Sequence, residues 1–215
     1  QRIAEGTFQH ILKTITRDMT EIEVAAELEY YMKRNGSQKP SFDTICVSGT
    51  ASSRPHGVPR NVRLESGFLT MDYGAMVNGY HSDMTRTIVI GKADEDMKKL
   101  YNTVLKAQLA AIDAITEGAK NADMDKVARD VIDNAGYKGY FSHSLGHGVG
   151  LEIHEQPGLH ARMGDATLKA GQIVTAEPGI YIEGKYGCRI EDMVLVTKGG
   201  KRDLTDCPKE LIEVC

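Results

Sequence analysis

Two acidic residues in the first half of the chain lie in a region whose pattern predicts a β-hairpin. The dipeptide Asn78-Gly79 is a turn signal, and it separates the apolar segments 67–78 and 80–90. A two-residue turn here makes Asp72 and Asp83 diagonal neighbours on the same face of the hairpin. Two carboxylates that lie this near each other repel unless a cation lies between them. The pattern also fits an alternative, two solvated acids on an exposed face.

Two glutamates in the last third of the chain follow the same arrangement. The residues on either side of Glu183-Gly184-Lys185 predict two strands joined by a three-residue loop. In that register Glu177 lies directly opposite Glu191, although a β-bulge in either strand would shift the pairing. Two hairpins that each present a pair of acids indicate related halves of one site.

Histidines that lie in short segments containing glycine or proline are further candidates for function. Five of the seven histidines do so: His56, His143, His147, His154 and His160. Three glycines fall within 146–150, so this segment is not expected to be helical. His143 and His147 therefore do not form the helical pair found in zinc proteases of the H-E-x-x-H type.

One imidazole combined with the four carboxylates would supply a set of mostly oxygen ligands. Such a set suits hard or borderline divalent metals, with Mn²⁺ the leading choice and Co²⁺, Fe²⁺ or Zn²⁺ as alternatives. Four carboxylates carry enough charge for two ions about 3.5 Å apart, and a hydroxide between those ions would be a nucleophile at neutral pH. This is the chemistry of a hydrolase.

The elements that must position these groups come in mixed blocks of helices and strands. Periodicity predicts helices at 3–15, at 24–32 after a capping box at Thr20–Glu23, from Asp94 towards Gly118, and at 123–134. Further strands are predicted at 42–49, 172–178, 180–183 and 187–197. This order favours an α+β fold with an antiparallel sheet over a doubly wound parallel one. No linker or repeat interrupts the chain, which predicts a single domain over 1–215.

Composition narrows the possible classes of function. The 215 residues include 26 Lys and Arg against 30 Asp and Glu, and this net charge of −4 argues against nucleic-acid binding. No apolar segment approaches the ~20 residues of a membrane span. The four cysteines form no C-x-x-C pair, and we expect a reducing, cytoplasmic compartment.

A series of motifs occurs in order between about Glu21 and Thr205. They are Phe42-Asp43-Thr44-Ile45, Asp72-Tyr73-Gly74, Ser82-Asp83-Met84-Thr85-Arg86-Thr87, Gly146-His147-Gly148-Val149-Gly150-Leu151, His154-Glu155-Gln156-Pro157, Glu177-Pro178-Gly179-Ile180-Tyr181 and Arg189-Ile190-Glu191-Asp192. This combination resembles the Xaa-Pro peptidases, the aminopeptidase P and prolidase branch of the pita-bread metallopeptidases. The resemblance implies a pita-bread fold, in which helices cover a curved antiparallel sheet and two halves are related by pseudo-twofold symmetry.

The resemblance also implies a set of metal ligands. The five positions are the four acids reached from the residues alone, Asp72, Asp83, Glu177 and Glu191, together with His147 from among the candidate histidines. In this family pattern Asp83 and Glu191 bridge two ions, while Asp72 and Glu177 each bind mainly one of them.

Other side chains receive their expected roles from the same resemblance. Glu177, His154 and His143 are expected to act in catalysis. Glu177 would take the proton from the bridging water, and His154 would contact the scissile carbonyl or the developing oxyanion. His143 would line the proline pocket, and His56 would contact the substrate near its leaving side. Arg189 would support the ligands or orient the substrate, with a surface or ion-pairing arginine as the alternative.

The implied activity is that of a metal-dependent exopeptidase. It would hydrolyse the Xaa-Pro bond at the N-terminus of peptides or in Xaa-Pro dipeptides, by attack of a hydroxide that bridges two divalent ions. Its partners would be small peptides with proline in second position. Members of this branch usually carry an additional N-terminal domain. We expect that domain to be absent from this chain and the full-length protein to be a homodimer or a larger assembly.

Three alternatives differ from this function. A methionine aminopeptidase shares the fold and the ligands, but the motifs at 177–181 and 189–192 favour the proline branch. A non-catalytic protein that binds peptides or partner proteins would have lost ligands, whereas all five are present here together with His143 and His154. A creatine amidinohydrolase is disfavoured because that branch lacks the full ligand set.

Overall fold

Four α-helices form two packed pairs in the computed structural model, which describes residues 1–215. The helices are α1 (Arg2–Thr14), α2 (Glu21–Arg34), α3 (Glu95–Ala114) and α4 (Asn121–Ile132). The predicted capping box begins α2, because Thr20 Oγ1 accepts from the main chain of Glu23 and Glu23 Oε2 accepts from the main chain of Thr20. Asp94 caps α3. None of the four helices has the length and apolar composition needed to cross a bilayer.

Short β-strands form the rest of the framework. They are β1 (Lys39–Pro40), β2 (Ile45–Ser48), β3 (Gly67–Tyr73), β4 (Ala75–Val77), β5 (Tyr80–His81), β6 (Met84–Ile90), β7 (Gly146–Gly148), β8 (Glu155–Leu159), β9 (Ile173–Ala176), β10 (Gly179–Ile182), β11 (Tyr186–Arg189), β12 (Asp192–Thr197), β13 (Gly200–Asp203) and β14 (Glu213–Val214).

These strands form mainly antiparallel sheets. One sheet has the order β14-β6-β3-β2, and a second has the order β13-β12-β9-β7-β8. Two smaller sheets have the orders β1-β4-β5 and β10-β11. All pairings are antiparallel except that of β14 with β6, which is parallel. The expected α+β fold with antiparallel sheets is confirmed.

The first hairpin has the predicted register but not the predicted continuity. Asp72 pairs with Thr85, as the turn position required. The prediction of unbroken strands over 67–78 and 80–90 is wrong, since the first is interrupted at Gly74 and the second at residues 82–83. At the interruption the hydroxyl of Ser82 accepts a hydrogen bond of 2.9 Å from the main chain of β4. A side chain therefore replaces part of the backbone ladder at this point.

The strands of the second hairpin are interrupted as well. The predicted register is confirmed by the pairs between β10 and β11. The strand predicted over 172–178 ends before Glu177, and the one predicted over 187–197 is interrupted at Glu191. Pro178 contributes to the break because it has no N–H to donate to the ladder. Both glutamates thus lie outside the regular strands.

Two apolar clusters hold the helices against the sheets. One contains Phe8 and Leu28 from the first helix pair and Leu69 from the first hairpin. The other contains Leu100 from α3 and Val194 from β12. Burial of a side chain of this size contributes about 1.5–3 kcal/mol. Each half combines a helix pair with a hairpin, and β11 of the second hairpin packs against β3 and β6 of the first.

Candidate metal centre

A cavity of about 690 Å³ lies where the two hairpins meet the segment 143–160. All of the predicted site residues line it: His56, Asp72, Asp83, His143, His147, His154, Glu177, Arg189 and Glu191. His160, which also stood out in the sequence, lines the same cavity. Residues from distant parts of the chain therefore converge on one space.

The centre of this group is a compact set of possible metal ligands. One ligand atom from each of Asp83, His147 and Glu191 lies within 4.8 Å of the other two. The Nε2 atom of His147 is 3.6 Å from Asp83 Oδ2 and 3.4 Å from Glu177 Oε1. His147 Nδ1 lies 3.0 Å from the carbonyl of Gly148, to which its N–H donates. This bond leaves the lone pair of Nε2 directed towards the carboxylates.

Two threonines orient the two glutamates from outside the group. Thr85 Oγ1 donates to Glu191 Oε2 at 2.6 Å, and Thr175 Oγ1 donates to Glu177 Oε1 at 3.3 Å. The second oxygen of Glu191, Oε1, and the Oδ1 atom of Asp72 are buried without a hydrogen-bond partner. Buried polar atoms are normally paired, since leaving one unpaired costs about 1–3 kcal/mol. A cation would satisfy both oxygens, so this donor set fits a divalent metal.

The pKa values of the carboxylates also indicate that this group binds a cation. Burial raises the pKa of Asp83 well above its usual value, and the charges of Asp72 and Glu177 raise it further. Burial also raises the pKa of Glu191 well above its usual value and that of Glu177 to about 8. Burial lowers the pKa of His147, which keeps the imidazole neutral. Ionised carboxylates are stable here only beside positive charge, which hard divalent cations supply.

These pKa directions predict how the stability of the metal-free protein depends on pH. The unfolded chain releases the Glu177 proton near pH 4.5, whereas the folded chain keeps it to about pH 8. Stability from this group is therefore complete below pH 4.5 and lost as the pH rises to 8. We expect the melting temperature of chelated protein to fall by on the order of 10 °C between pH 5 and 8. Added Mn²⁺ should remove this fall, and a flat profile without metal would contradict the prediction.

Arg189 connects one of the acids to the rest of the cavity. Its Nη2 donates to Asp72 Oδ2 at 2.7 Å, and its Nε donates to Thr85 Oγ1 at 3.0 Å. Its Nη1 donates to the hydroxyl of Tyr181 at 2.8 Å and to the carbonyl of Pro55 at 3.1 Å. Arg189 is only 2% exposed, so it is a buried ion-pairing residue and not a surface one.

His143 is held by partners at both ring nitrogens. Its Nδ1 lies 2.8 Å from the carbonyl of Ser144, and its Nε2 lies 2.8 Å from the hydroxyl of Tyr181. Because Arg189 donates to that hydroxyl, Tyr181 donates in turn to His143. Burial lowers the pKa of His143 to about 3, and the imidazole is neutral. Tyr181 was not predicted as a site residue, although its position in the motif 177–181 was a signal for it.

The other two predicted histidines stand at the accessible part of the cavity. The ring of His154 lies 4.4 Å from that of His147 at an interplanar angle of 70°. His154 and His56 are both exposed and line the cavity, so a bound molecule could reach them. His56 follows Pro55, whose carbonyl accepts from Arg189. The loop that carries His56 is thereby attached to the centre.

Helix pairs that cover antiparallel hairpins around a buried group of carboxylates and one imidazole form the pita-bread architecture of metallopeptidases. The chain belongs to metallopeptidase family M24, whose family model matches residues 1–198. It is 47% identical over 211 residues to an Xaa-Pro dipeptidase of Pyrococcus furiosus, an alignment that covers 98% of this chain and 60% of that protein.

Solved structures show the same relationship. The chain superimposes with a TM-score of 0.96 on an Xaa-Pro dipeptidase from Bacillus anthracis, at 48% identity over 99% of this chain and 60% of the other. It also superimposes with a TM-score of 0.96 on an X-Pro aminopeptidase from Thermotoga maritima, at 40% identity over 99% of this chain and 60% of the other. The chain therefore spans about 60% of the length of these relatives.

Proposed function

We propose that this chain is the catalytic part of a metal-dependent exopeptidase that hydrolyses the bond between an N-terminal residue and proline. The observation that carries the proposal is the convergence of Asp83, His147 and Glu191 within 4.8 Å, in a cavity that His154 and Arg189 also line. The names of the similar proteins, an Xaa-Pro dipeptidase and an X-Pro aminopeptidase, support the choice of substrate.

The proposed cofactor is a pair of divalent ions, with Mn²⁺ the leading choice and Co²⁺, Zn²⁺ or Fe²⁺ as alternatives. Five side chains would hold them: Asp72, Asp83, His147, Glu177 and Glu191. Four carboxylates face a single buried guanidinium, that of Arg189, so the charge of the group supports more than one cation. When bound, such ions lower the pKa of water and polarise a carbonyl.

The remaining groups would position the peptide and move protons. Glu177 would accept the proton of the attacking water and return it to the proline nitrogen. His154 would donate a hydrogen bond to the carbonyl oxygen as negative charge develops there. An Xaa-Pro amide has no N–H, so a site that selects proline must recognise the shape of its ring. The neutral ring of His143 would form one wall of that pocket, and His56 and Arg189 would contact the substrate or orient its contacts.

Assays with matched peptides test this function. After reconstitution with Mn²⁺, we expect kcat/KM for Ala-Pro or Arg-Pro-Pro to exceed that for Ala-Ala or Met-Ala-Ser by at least about tenfold, the effect of losing a shaped apolar contact. The comparison of Xaa-Pro with Xaa-Pro-Yaa also separates a dipeptidase from an aminopeptidase. Preference for Met-Ala-Ser would favour a methionine aminopeptidase, and metal binding without turnover would favour a binding protein.

The proposal extends to the context of the chain. Residues 1–215 are proposed as one catalytic domain, because both halves contribute to the same cavity. All four cysteines are unpaired, and three of them are buried, which supports a reducing, cytoplasmic compartment. A homodimer or larger assembly of the full-length protein stays a prediction.

A further inference from the structure

We propose that Arg86, clamped by the C-terminal segment 203–210, positions the metal ligand Glu191 and thereby sets the metal affinity of the centre. This inference rests on the proposed function, because it takes Glu191 as a ligand. Neither Arg86 nor the C-terminal segment lines the cavity. Their effect would pass through the backbone and carboxylate of Glu191.

Arg86 is buried beneath the centre with all of its N–H groups in use. It lies on β6 and is only 1% exposed. Its Nε atom donates to the carbonyl of Pro208 at 2.9 Å. Its Nη1 atom donates to the carbonyls of Thr85 at 2.9 Å and Glu191 at 2.7 Å. Its Nη2 atom donates to Asp192 Oδ1 at 2.8 Å and to the carbonyl of Cys207 at 3.1 Å. One guanidinium therefore joins the first hairpin, the second hairpin and the C-terminal segment.

These contacts hold Glu191 where the sheet does not. Glu191 lies in the break between β11 and β12, so regular strand pairing does not fix its backbone. Its main-chain N–H donates to Thr85 O at 3.2 Å, and its carbonyl accepts from Arg86. Thr85 Oγ1 donates to its carboxylate at 2.6 Å. The backbone and side chain of Glu191 are thus attached to the two consecutive residues Thr85 and Arg86.

The C-terminal segment supports Glu191 through a charged side chain, that of Lys209, as well as through main-chain carbonyl groups. The carboxylate of Asp192, which is fully buried, accepts from Arg86, from Gln108 Nε2 at 2.6 Å and from Lys209 Nζ. Lys209 also donates to Asp203 at 2.9 Å. Removing Lys209 would leave a buried acid with less compensation, and Arg86 would be free to shift towards it. The shift would move the carbonyl of Glu191 with it.

Metal titrations test this role directly. Loss of a group that orients a metal ligand typically costs 10–100-fold in affinity. We expect Lys209→Met to raise the Kd for Mn²⁺ about tenfold and Arg86→Lys to raise it by up to about a hundredfold, measured by calorimetry on chelated protein that circular dichroism shows to be folded. Lys209→Arg, which keeps the charge and the donors, should bind Mn²⁺ with the Kd of the wild type.

Lys201 provides a matched control. It is a partly buried lysine on β13 whose Nζ atom pairs with Asp113 and forms no hydrogen bond or ion pair with the residues around Arg86. Lys201→Met should leave the Kd for Mn²⁺ unchanged. Should Arg86→Lys fail to fold, Lys209→Met decides the question, because Lys209 reaches solvent at 19% exposure.

The outcomes separate this inference from the proposed function. A wild-type chain that binds no Mn²⁺ would overturn both. A wild-type chain that binds Mn²⁺ with the same Kd as Lys209→Met and Arg86→Lys would overturn this inference alone. A lower melting temperature of the metal-free variants with unchanged Kd would also overturn it, since that result describes a purely structural role.

Discussion

Glu191→Ala is expected to abolish metal binding and peptide hydrolysis together. Glu191 is 1% exposed, and its Oε1 atom is buried without a partner among the ligand group. Removing it deletes one of the three side chains that converge within 4.8 Å. We expect kcat/KM for Ala-Pro to fall at least about a thousandfold, a loss of about 4 kcal/mol in transition-state stabilisation. Metal analysis of the purified variant should show that its bound Mn²⁺ is lost as well.

Controls distinguish this effect from a loss of folding. Glu191→Gln keeps the shape of the side chain, and Glu183→Ala removes an exposed glutamate from the loop of the same hairpin. Burial raises the pKa of Glu191 well above its usual value, so without metal Glu191→Gln should be at least as stable as the wild type at pH 8. Asp83→Ala should reproduce the loss of metal and activity. A variant that is active and metal-free would contradict the assignment of the ligands.

His154→Ala is expected to keep the metal and lose most of the turnover. The ring of His154 lies 4.4 Å from that of the proposed ligand His147 and is exposed to the cavity. Loss of one hydrogen-bond donor to a developing oxyanion typically costs 10²–10³ in kcat. We expect a fall of that size in kcat for Ala-Pro, with an unchanged amount of bound Mn²⁺.

A second histidine serves as the comparison for this variant. His10 lies on α1, where it pairs with Glu27 and stacks on Tyr31 away from the cavity. His10→Ala should leave kcat unchanged. A wild-type kcat in His154→Ala would refute the proposed role, and loss of metal in that variant would assign His154 to the ligands instead.

The registers of both hairpins could be predicted from the sequence because tight turns set them locally. In the first turn Asn78 and Gly79 adopt positive φ angles of 52° and 79°, a conformation that this dipeptide favours. Each turn then fixes the residues that face each other further along the strands. The breaks in the strands could not be predicted, because Ser82 and Glu191 form hydrogen bonds with residues that strand periodicity does not reveal.

The short strands β7 and β8 were not predicted either. Segment 146–150 is rich in glycine and lacks the alternation of apolar and polar residues by which strands are recognised. Gly146 is required by close packing, since a Cβ atom on it would lie 2.1 Å from the carbonyl oxygen of Thr175. That constraint comes from the neighbouring strand β9, and the segment itself contains no sign of it.

The candidate ligands were accessible to sequence reasoning because acids and histidines carry their chemistry in their residue type. The role of a supporting residue depends instead on which residues it forms hydrogen bonds with. Arg86 donates to the carbonyl of Glu191, which lies 105 positions away in the chain. The Tyr181 hydroxyl joins Arg189 to His143, and His143 lies 38 positions from Tyr181 in the chain. The sequence therefore does not distinguish such an arginine or tyrosine from others of its type, because its hydrogen-bond partner is far away in the chain.

By itself the sequence determined the residue types of the centre, the two hairpin registers and the α+β class, because turn chemistry and periodicity act over a few residues. The tertiary structure alone decided that the strands of these hairpins break beside the candidate ligands and that buried donors orient the carboxylates. Those features depend on contacts between segments far apart in the chain.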